Sequence, residues 1–263
     1  MHPILFKFDT PSFLNSFLPS QIVIYSYGAL ILLGVISAYL FLRKNAFKEF
    51  GLNQEASHNL LVGLIVMSVF GGKFFMIFEN PSYYLTHLSS LISNSGFVFY
   101  GSLIFSMGFI YWFIKKHQLP VWQFLDLIAF VTLIVHFFGR LGCFLAGCCH
   151  GIESHGSLAI TYTDINSLAN PLNTPLHPTQ LYSSFMLMSI FLFLTWLKPK
   201  KQFNGQLFLL YLILYSFGRS VIEEFRGDQA RGFLFDGWYS NSQFISTLII
   251  TFALIMYVRI RKK

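Results

Sequence analysis

The chain has 263 residues, of which 54% are hydrophobic, 19% aromatic and only 11% charged, and its mean hydropathy is +0.58. Soluble domains carry roughly a quarter charged residues, so this composition excludes a water-soluble globular protein and points to an integral membrane protein. The formal net charge of +7 reads as a membrane-topology signal and not as a nucleic-acid footprint.

Residues 1–20 hold Pro3, Pro11 and Pro19 among phenylalanines and leucines, without the basic start and small-residue cleavage site of a secretory signal. They read as an uncleaved segment in the outer membrane interface. Apolar windows of spanning length follow near 21–42, 60–78, 97–114, 124–147, 181–197, 206–222 and 243–258. This predicts an all-α polytopic membrane protein of seven transmembrane helices, one domain over residues 1–263. No internal repeat argues for an inverted-repeat transporter.

Lysine and arginine are retained on the cytoplasmic side. Arg43, Lys44 and Lys48 follow the first helix, Lys115 and Lys116 the third, Lys198, Lys200 and Lys201 the fifth, and Arg259, Arg261, Lys262 and Lys263 the seventh. The alternate loops, 79–96 and 148–180, contain no Lys or Arg, and 223–242 is more acidic than basic. The N-terminus is therefore expected outside and the C-terminus in the cytoplasm.

The fourth apolar run ends in Gly139-Arg140-Leu141-Gly142-Cys143-Phe144-Leu145-Ala146-Gly147-Cys148-Cys149-His150-Gly151. An intramembrane arginine costs about 3 kcal/mol on the insertion scale, so Arg140 is expected to face a partner or an aqueous cavity. On the sixth helix Tyr215, Arg219 and Glu223 recur every four residues and share a face, with Arg226 close to the same stripe. An Arg219–Glu223 pair that only orients helices is the bland reading. Two arginines at the same depth, each a rigid fork of donors, instead suit a phosphate.

Residues 177–182 read His177-Pro178-Thr179-Gln180-Leu181-Tyr182 where the long outer loop enters the fifth helix. Alone, His177 is a cap or a surface residue; beside the arginines it is a candidate acid or base. Cys143, Cys148, Cys149 and His150 are ligand types that zinc accepts. There is no C-x-x-C, adjacent residues rarely close a tetrahedral site, and small apolar packing is the usual role of cysteine. No metal and no cofactor are therefore expected, and a thiol-redox or metal-binding bundle stands as the alternative. The seventh helix has no lysine for a retinal Schiff base.

These blocks together resemble the bacterial prolipoprotein diacylglyceryl transferases along the whole chain. The resemblance rests on Tyr27-Gly28, Phe99-Tyr100-Gly101-Ser102, the 139–151 signature, the block at 177–182, Tyr215-Ser216-Phe217-Gly218-Arg219, Glu223 and Phe225-Arg226-Gly227-Asp228. Gly71-Gly72-Lys73 is similar to the family's small-small-basic element, with lysine for arginine. The resemblance implies a multi-pass enzyme of the bacterial plasma membrane. It would transfer the diacylglyceryl group of phosphatidylglycerol to the lipobox cysteine of a prolipoprotein, form a thioether and release glycerol phosphate. It implies catalytic roles for Tyr100, Arg140, Arg219 and His177, and substrate binding by Tyr27, Arg140, Cys143, Gly151, Gln180, Tyr182, Tyr215, Arg219 and Glu223.

Four positions depart from the commoner pattern. Tyr100 stands for histidine, Cys143 for asparagine, Cys148 for an acidic residue and Ser183 for glutamate. A phenol with an ordinary pKa near 10 is a poor base, which leaves His177, His150 or His136 as proton acceptors. His136, one turn before Arg140, reads as a packed helix residue.

Overall fold

The computed structural model describes residues 2–10, 20–93, 96–226, 233–234 and 239–262. Pro11, Pro19 and the Gly227-Asp228 end of the last family block lie outside the described residues. The chain is mostly helical: α1 (Ser26–Phe50), α2 (Gln54–Phe74), α3 (Met76–Glu79), α4 (Pro81–Thr86), α5 (Leu88–Ser93), α6 (Phe99–Lys116), α7 (Val121–Ala146), α8 (Thr179–Leu197), α9 (Gln206–Glu223) and α10 (Asn241–Arg261). Among the described residues three antiparallel strand pairs accompany them: β1 (Ile4–Asp9) with β2 (Gln21–Tyr25), β3 (Ile160–Thr161) with β4 (Pro175–Leu176), and β5 (Phe233–Leu234) with β6 (Tyr239–Ser240).

Six helical segments among the described residues are long and apolar enough to cross a membrane: Ser26–Phe50, Gln54–Glu79, Val121–Ala146, Thr179–Lys200, Gln206–Glu223 and Asn241–Arg261. Seven were expected. The remaining one, α6, is a regular helix of 18 residues, but it ends in Lys115 and Lys116 and falls short of the other six in apolar length. The expected start of the first helix at residue 21 needs correction. Gln21–Tyr25 is a strand, and α1 begins only at Ser26. The run Gln-Ile-Val-Ile-Tyr is β-branched and aromatic, and a hydropathy window sums it into the helix without seeing its period. Its partner strand sets Phe6 opposite Ile24 and Phe8 opposite Ile22. At the other end, α1 runs through Arg43, Lys44 and Lys48, so these bases lie on its last turns instead of in a loop.

The chain forms two compact units, residues up to Ala38 with those from Leu125 onward, and Tyr39–Phe124. In the second unit α2 packs on α6 at small residues. A Cβ on Gly71 would come within 2.5 Å of the Gly101 carbonyl oxygen, and Ser102 Oγ donates to the Ser68 carbonyl at 2.7 Å. Close backbone approach of this kind is what joins helices where lipid removes the hydrophobic drive. Gly71-Gly72 is thus where α2 crosses α6. α2 starts at Asn53, whose side chain accepts the Ala56 N–H at 2.8 Å.

In the first unit α1 lies along α7, where Gly34 faces Phe138 and Gly142 faces Tyr27. α9 packs between α8 and α10. Its N-terminus is held by Asp126 of α7, which accepts from the N–H groups of Gly205 and Phe208 at 3.0 and 2.9 Å and from Lys201 Nζ at 3.1 Å. Only 3% of Asp126 is exposed; the carboxylate satisfies helix N–H groups that have no partner within α9 and meets the positive end of its dipole. At the opposite end Ser240 and Gln243 form a capping box on α10, and Gln243 Nε2 donates to Glu224 at 2.5 Å. Rows such as Leu248, Phe252 and Ile255 on α10 stay exposed, the surface that lipid requires.

Candidate active site

Helical spacing puts His136, Arg140 and Cys143 on one face of α7. Arg140 Nε donates to His136 Nε2 at 3.3 Å. A guanidinium has no acceptor, so His136 offers the Nε2 lone pair and carries its ring proton on Nδ1. The same ring lies 5.3 Å from that of Tyr215 on α9, which in turn stacks on Tyr211 at 5.8 Å. One turn further on α9, Arg219 Nη1 pairs with Glu223 Oε2, both side chains about nine-tenths buried. His136 thus stands between Arg140 and the face of α9 that carries Tyr215 and, one turn on, Arg219. His136 is a hydrogen-bonding partner of Arg140, where sequence reasoning had it as packing; the i,i+4 spacing carried that signal.

α7 ends at Gly147, whose φ of +84° is open to glycine at no steric cost; its N–H bonds the Cys143 carbonyl at 2.9 Å. This turn folds Cys148 and Cys149 back toward Cys143, so that the three sulfurs all lie within 4.8 Å of one another. Tyr27, on α1, packs its ring against Gly142 beside them. The thiols are free and half-buried. Hydrogen bonds from Cys143 and Cys148, with the Arg226 guanidinium also bonded to the sulfur, hold Cys149 well below the usual thiol range. The same pairing, with burial, pushes Cys148 up. Among the described residues these three are the set able to hold a metal ion.

The loop is tied to α8 from below. Gln180 is fully buried, and its Nε2 donates to the Cys148 carbonyl at 2.7 Å and to Tyr162 Oη at 3.2 Å. Burial pushes the Tyr162 phenol up to about 12, against the opposing pull of the Gln180 bond, and keeps it neutral. Thr179 Oγ1 donates to the Cys149 carbonyl at 2.8 Å. Sequence reasoning missed both Tyr162 and Thr179. Thr179, in the first turn of α8, carried a weak signal as a side-chain donor, and Tyr162 carried none. Gly151 is the crossing point: its N–H bonds the His177 carbonyl at 2.8 Å, and a Cβ there would fall on the Phe225 carbonyl oxygen and come within 2.7 Å of His177 Cβ.

His177 Nδ1 lies 3.1 Å from Tyr182 Oη, and both rings pack on Phe225. His150 has both nitrogens engaged. Nε2 accepts the Asn170 N–H at 3.4 Å, so Nδ1 carries the proton donated to the Gly151 carbonyl at 2.9 Å. His150 and His136 are thus spent in structural bonds, and His177 remains as the acid–base candidate of the three. Ser183 is buried and returns its hydroxyl to the Thr179 carbonyl at 2.8 Å. Tyr100 belongs to the second unit, in the first turn of α6, and is about half exposed.

The chain matches the family model described as prolipoprotein diacylglyceryl transferase over residues 16–259. A relative from Clostridium tetani named phosphatidylglycerol–prolipoprotein diacylglyceryl transferase is 36% identical over 250 residues, 91% of this chain and 95% of the relative. A Clostridium perfringens protein bearing the same name with the number 2 is 35% identical over 236 residues, 89% and 90% of the two chains. One from Finegoldia magna is 29% identical over 240 residues, 90% and 91%. Matched by the family model over residues 16–259, and 36% identical to a named relative over nearly its whole length, the chain belongs to the prolipoprotein diacylglyceryl transferase family.

Proposed function

We propose that this protein takes phosphatidylglycerol as donor and a prolipoprotein as acceptor, and joins the diacylglyceryl group to the lipobox cysteine through a thioether. The observation that supports this reading is His136, whose ring accepts from Arg140 and lies 5.3 Å from that of Tyr215, one turn before Arg219 on α9. Displacement at a glycerol carbon needs a thiolate nucleophile and a stabilised leaving group. Two guanidiniums aimed at the phosphodiester bind it in the ground state and hold the charge that builds on the departing oxygen. Glu223 fixes the fork of Arg219, while His136 fixes that of Arg140.

The other assigned residues have supporting places. The groove between α7 and α8, lined by Leu133, Ile134, Phe137, Phe138, Leu187 and Phe191, is wholly apolar and ends one turn before Arg140, which suits an acyl chain. Gln180 Oε1 is buried and takes no partner among the described residues; the glycerol head group offers hydroxyl donors. Tyr27, Cys143, Tyr182 and Tyr215 would shape the lipid site. His177 accepts the thiol proton, and Tyr100 keeps the position of the family's histidine without its basicity.

Seven spans with the N-terminus outside and the C-terminus inside fit the distribution of Lys and Arg, with α6 as the added span. The site would then face the outer leaflet of a bacterial plasma membrane, where exported prolipoproteins arrive. The relatives' names offer no support to a thiol-redox or metal-binding protein as the whole function. Complementation tests the reading: expression in a strain depleted of its own transferase should restore lipoprotein maturation and growth. Membrane insertion without maturation would refute it.

A further inference from the structure

Cys143 comes from the last turn of α7, and Cys148 and Cys149 from the loop that follows. Their sulfurs lie within 4.8 Å of one another, and no imidazole or carboxylate joins the group among the described residues. The backbone that presents them is held from α8, through Gln180 on the Cys148 carbonyl and Thr179 on the Cys149 carbonyl. Cys149 itself sits at a φ of +63°, a left-handed conformation that side chains other than glycine rarely adopt. Strain of this kind is stored where a fold must aim a group.

Three protein ligands with an open fourth position are the pattern of catalytic zinc, whereas structural zinc is closed by four. With a Zn–S bond of about 2.3 Å, tetrahedral thiolates stand about 3.8 Å apart, so the trio needs only a small contraction. His150 does not fill the fourth place, since both its nitrogens are engaged. The transfer reaction needs a thiolate at neutral pH, and Tyr100 occupies the place of the usual base.

We propose that Cys143, Cys148 and Cys149 bind one Zn²⁺ whose open position receives the lipobox cysteine of the acceptor as its thiolate, an inference that rests on the transferase reading above. A thiol that coordinates such an ion is deprotonated outright. Its proton leaves to His177, and the metal-held sulfur then attacks the glycerol carbon. The S–C bond forms as the C–O bond to phosphate breaks, and the electron pair departs on the phosphate oxygen of glycerol phosphate. The product thioether is a weaker ligand and leaves; zinc stays divalent throughout, and no oxidant is needed. The charge of Arg226, which bears on Cys149, offsets the negative charge of the thiolates.

The test uses the full chain purified in detergent. About one zinc per chain is expected, and stripping it with a chelator should lower transfer of labelled lipid to a lipobox peptide roughly a hundredfold, with Zn²⁺ restoring it. Replacement by Co²⁺ should give a thiolate charge-transfer absorption. The peptide should raise that absorption by about a third as a fourth thiolate joins three, while a peptide with serine for the cysteine should leave it unchanged. Cys148→Ser and Cys149→Ser should lose the cobalt absorption; because they can misfold, the stripped wild-type protein is the main comparison. Undiminished transfer by metal-free protein, a cobalt spectrum indifferent to the peptide, or copper in place of zinc would overturn the proposal. A spectrum that answers the peptide in a protein unable to move label from phosphatidylglycerol would uphold the thiol site and overturn the transferase reading instead.

Discussion

Arg140 donates its Nε–H to His136 Nε2 at 3.3 Å, from one turn further along α7. The bond uses Nε alone, so that among the described residues both terminal nitrogens of the guanidinium remain for a ligand, and it sets the direction of the fork. A hydrogen bond to a charged group contributes about 1.5–3 kcal/mol, a factor of roughly 10–100. His136→Leu should therefore insert normally and lose about that much kcat/KM, with KM for phosphatidylglycerol raised. His136→Gln, which keeps an acceptor, should recover most of it. Equal losses in the two variants would make the ring a space-filler.

The arginines themselves should be less forgiving. Arg140→Ala and Arg219→Ala should each abolish measurable transfer, because loss of one preorganised donor to a developing oxyanion costs about 3–4 kcal/mol. Lysine lacks the fork and should rescue poorly at either position. Glu223→Gln should weaken the site through Arg219, since removing one partner of a buried pair costs about 3–5 kcal/mol. Turnover near that of wild type in either alanine variant would remove the clamp.

Gly151→Ala should damage the site through the backbone. Its Cβ would strike the Phe225 carbonyl and His177 Cβ together, and neither can yield without opening the bonds Gly151 N–H to His177 and Ile152 N–H to Phe225. Overpacking of this sort costs about 1–3 kcal/mol. A lowered melting temperature in detergent and a large fall in transfer are expected, both relieved little by excess lipid.

Much of this was legible in the sequence. Apolar length located six spanning helices, and i,i+4 spacing on α9 placed Tyr215, Arg219 and Glu223 on one face. The same rule held for His136 and Arg140, but the partner's role needed coordinates, because a histidine on an apolar helix serves equally well as packing. The three thiols were harder. Positions 143, 148 and 149 lack a ligand spacing, and only the left-handed turn at Gly147 brings the last two back onto α7. The β1–β2 pair was missed since summed hydropathy does not distinguish a strand from the first turn of a helix.

Tyr100 tests the missing histidine. With a phenol in that place, Tyr100→Phe should reduce transfer by less than either arginine deletion, and Tyr100→His should be tolerated or should raise turnover near pH 7, where imidazole titrates. Steady-state rates from pH 6 to 9 would decide it. An inactive Tyr100→Phe together with an inactive Tyr100→His would make the phenol itself essential.

The most direct measurement is chemical. The purified protein is mixed with phosphatidylglycerol labelled in its diacylglycerol portion and with a peptide that carries a lipobox cysteine. The account expects label on the cysteine sulfur as a thioether, with glycerol phosphate released in equal amount, and no transfer to the serine peptide or by Arg140→Ala. Label that stays on the lipid while the protein is folded and both substrates are bound, or that reaches the peptide equally well without Arg140, would contradict it.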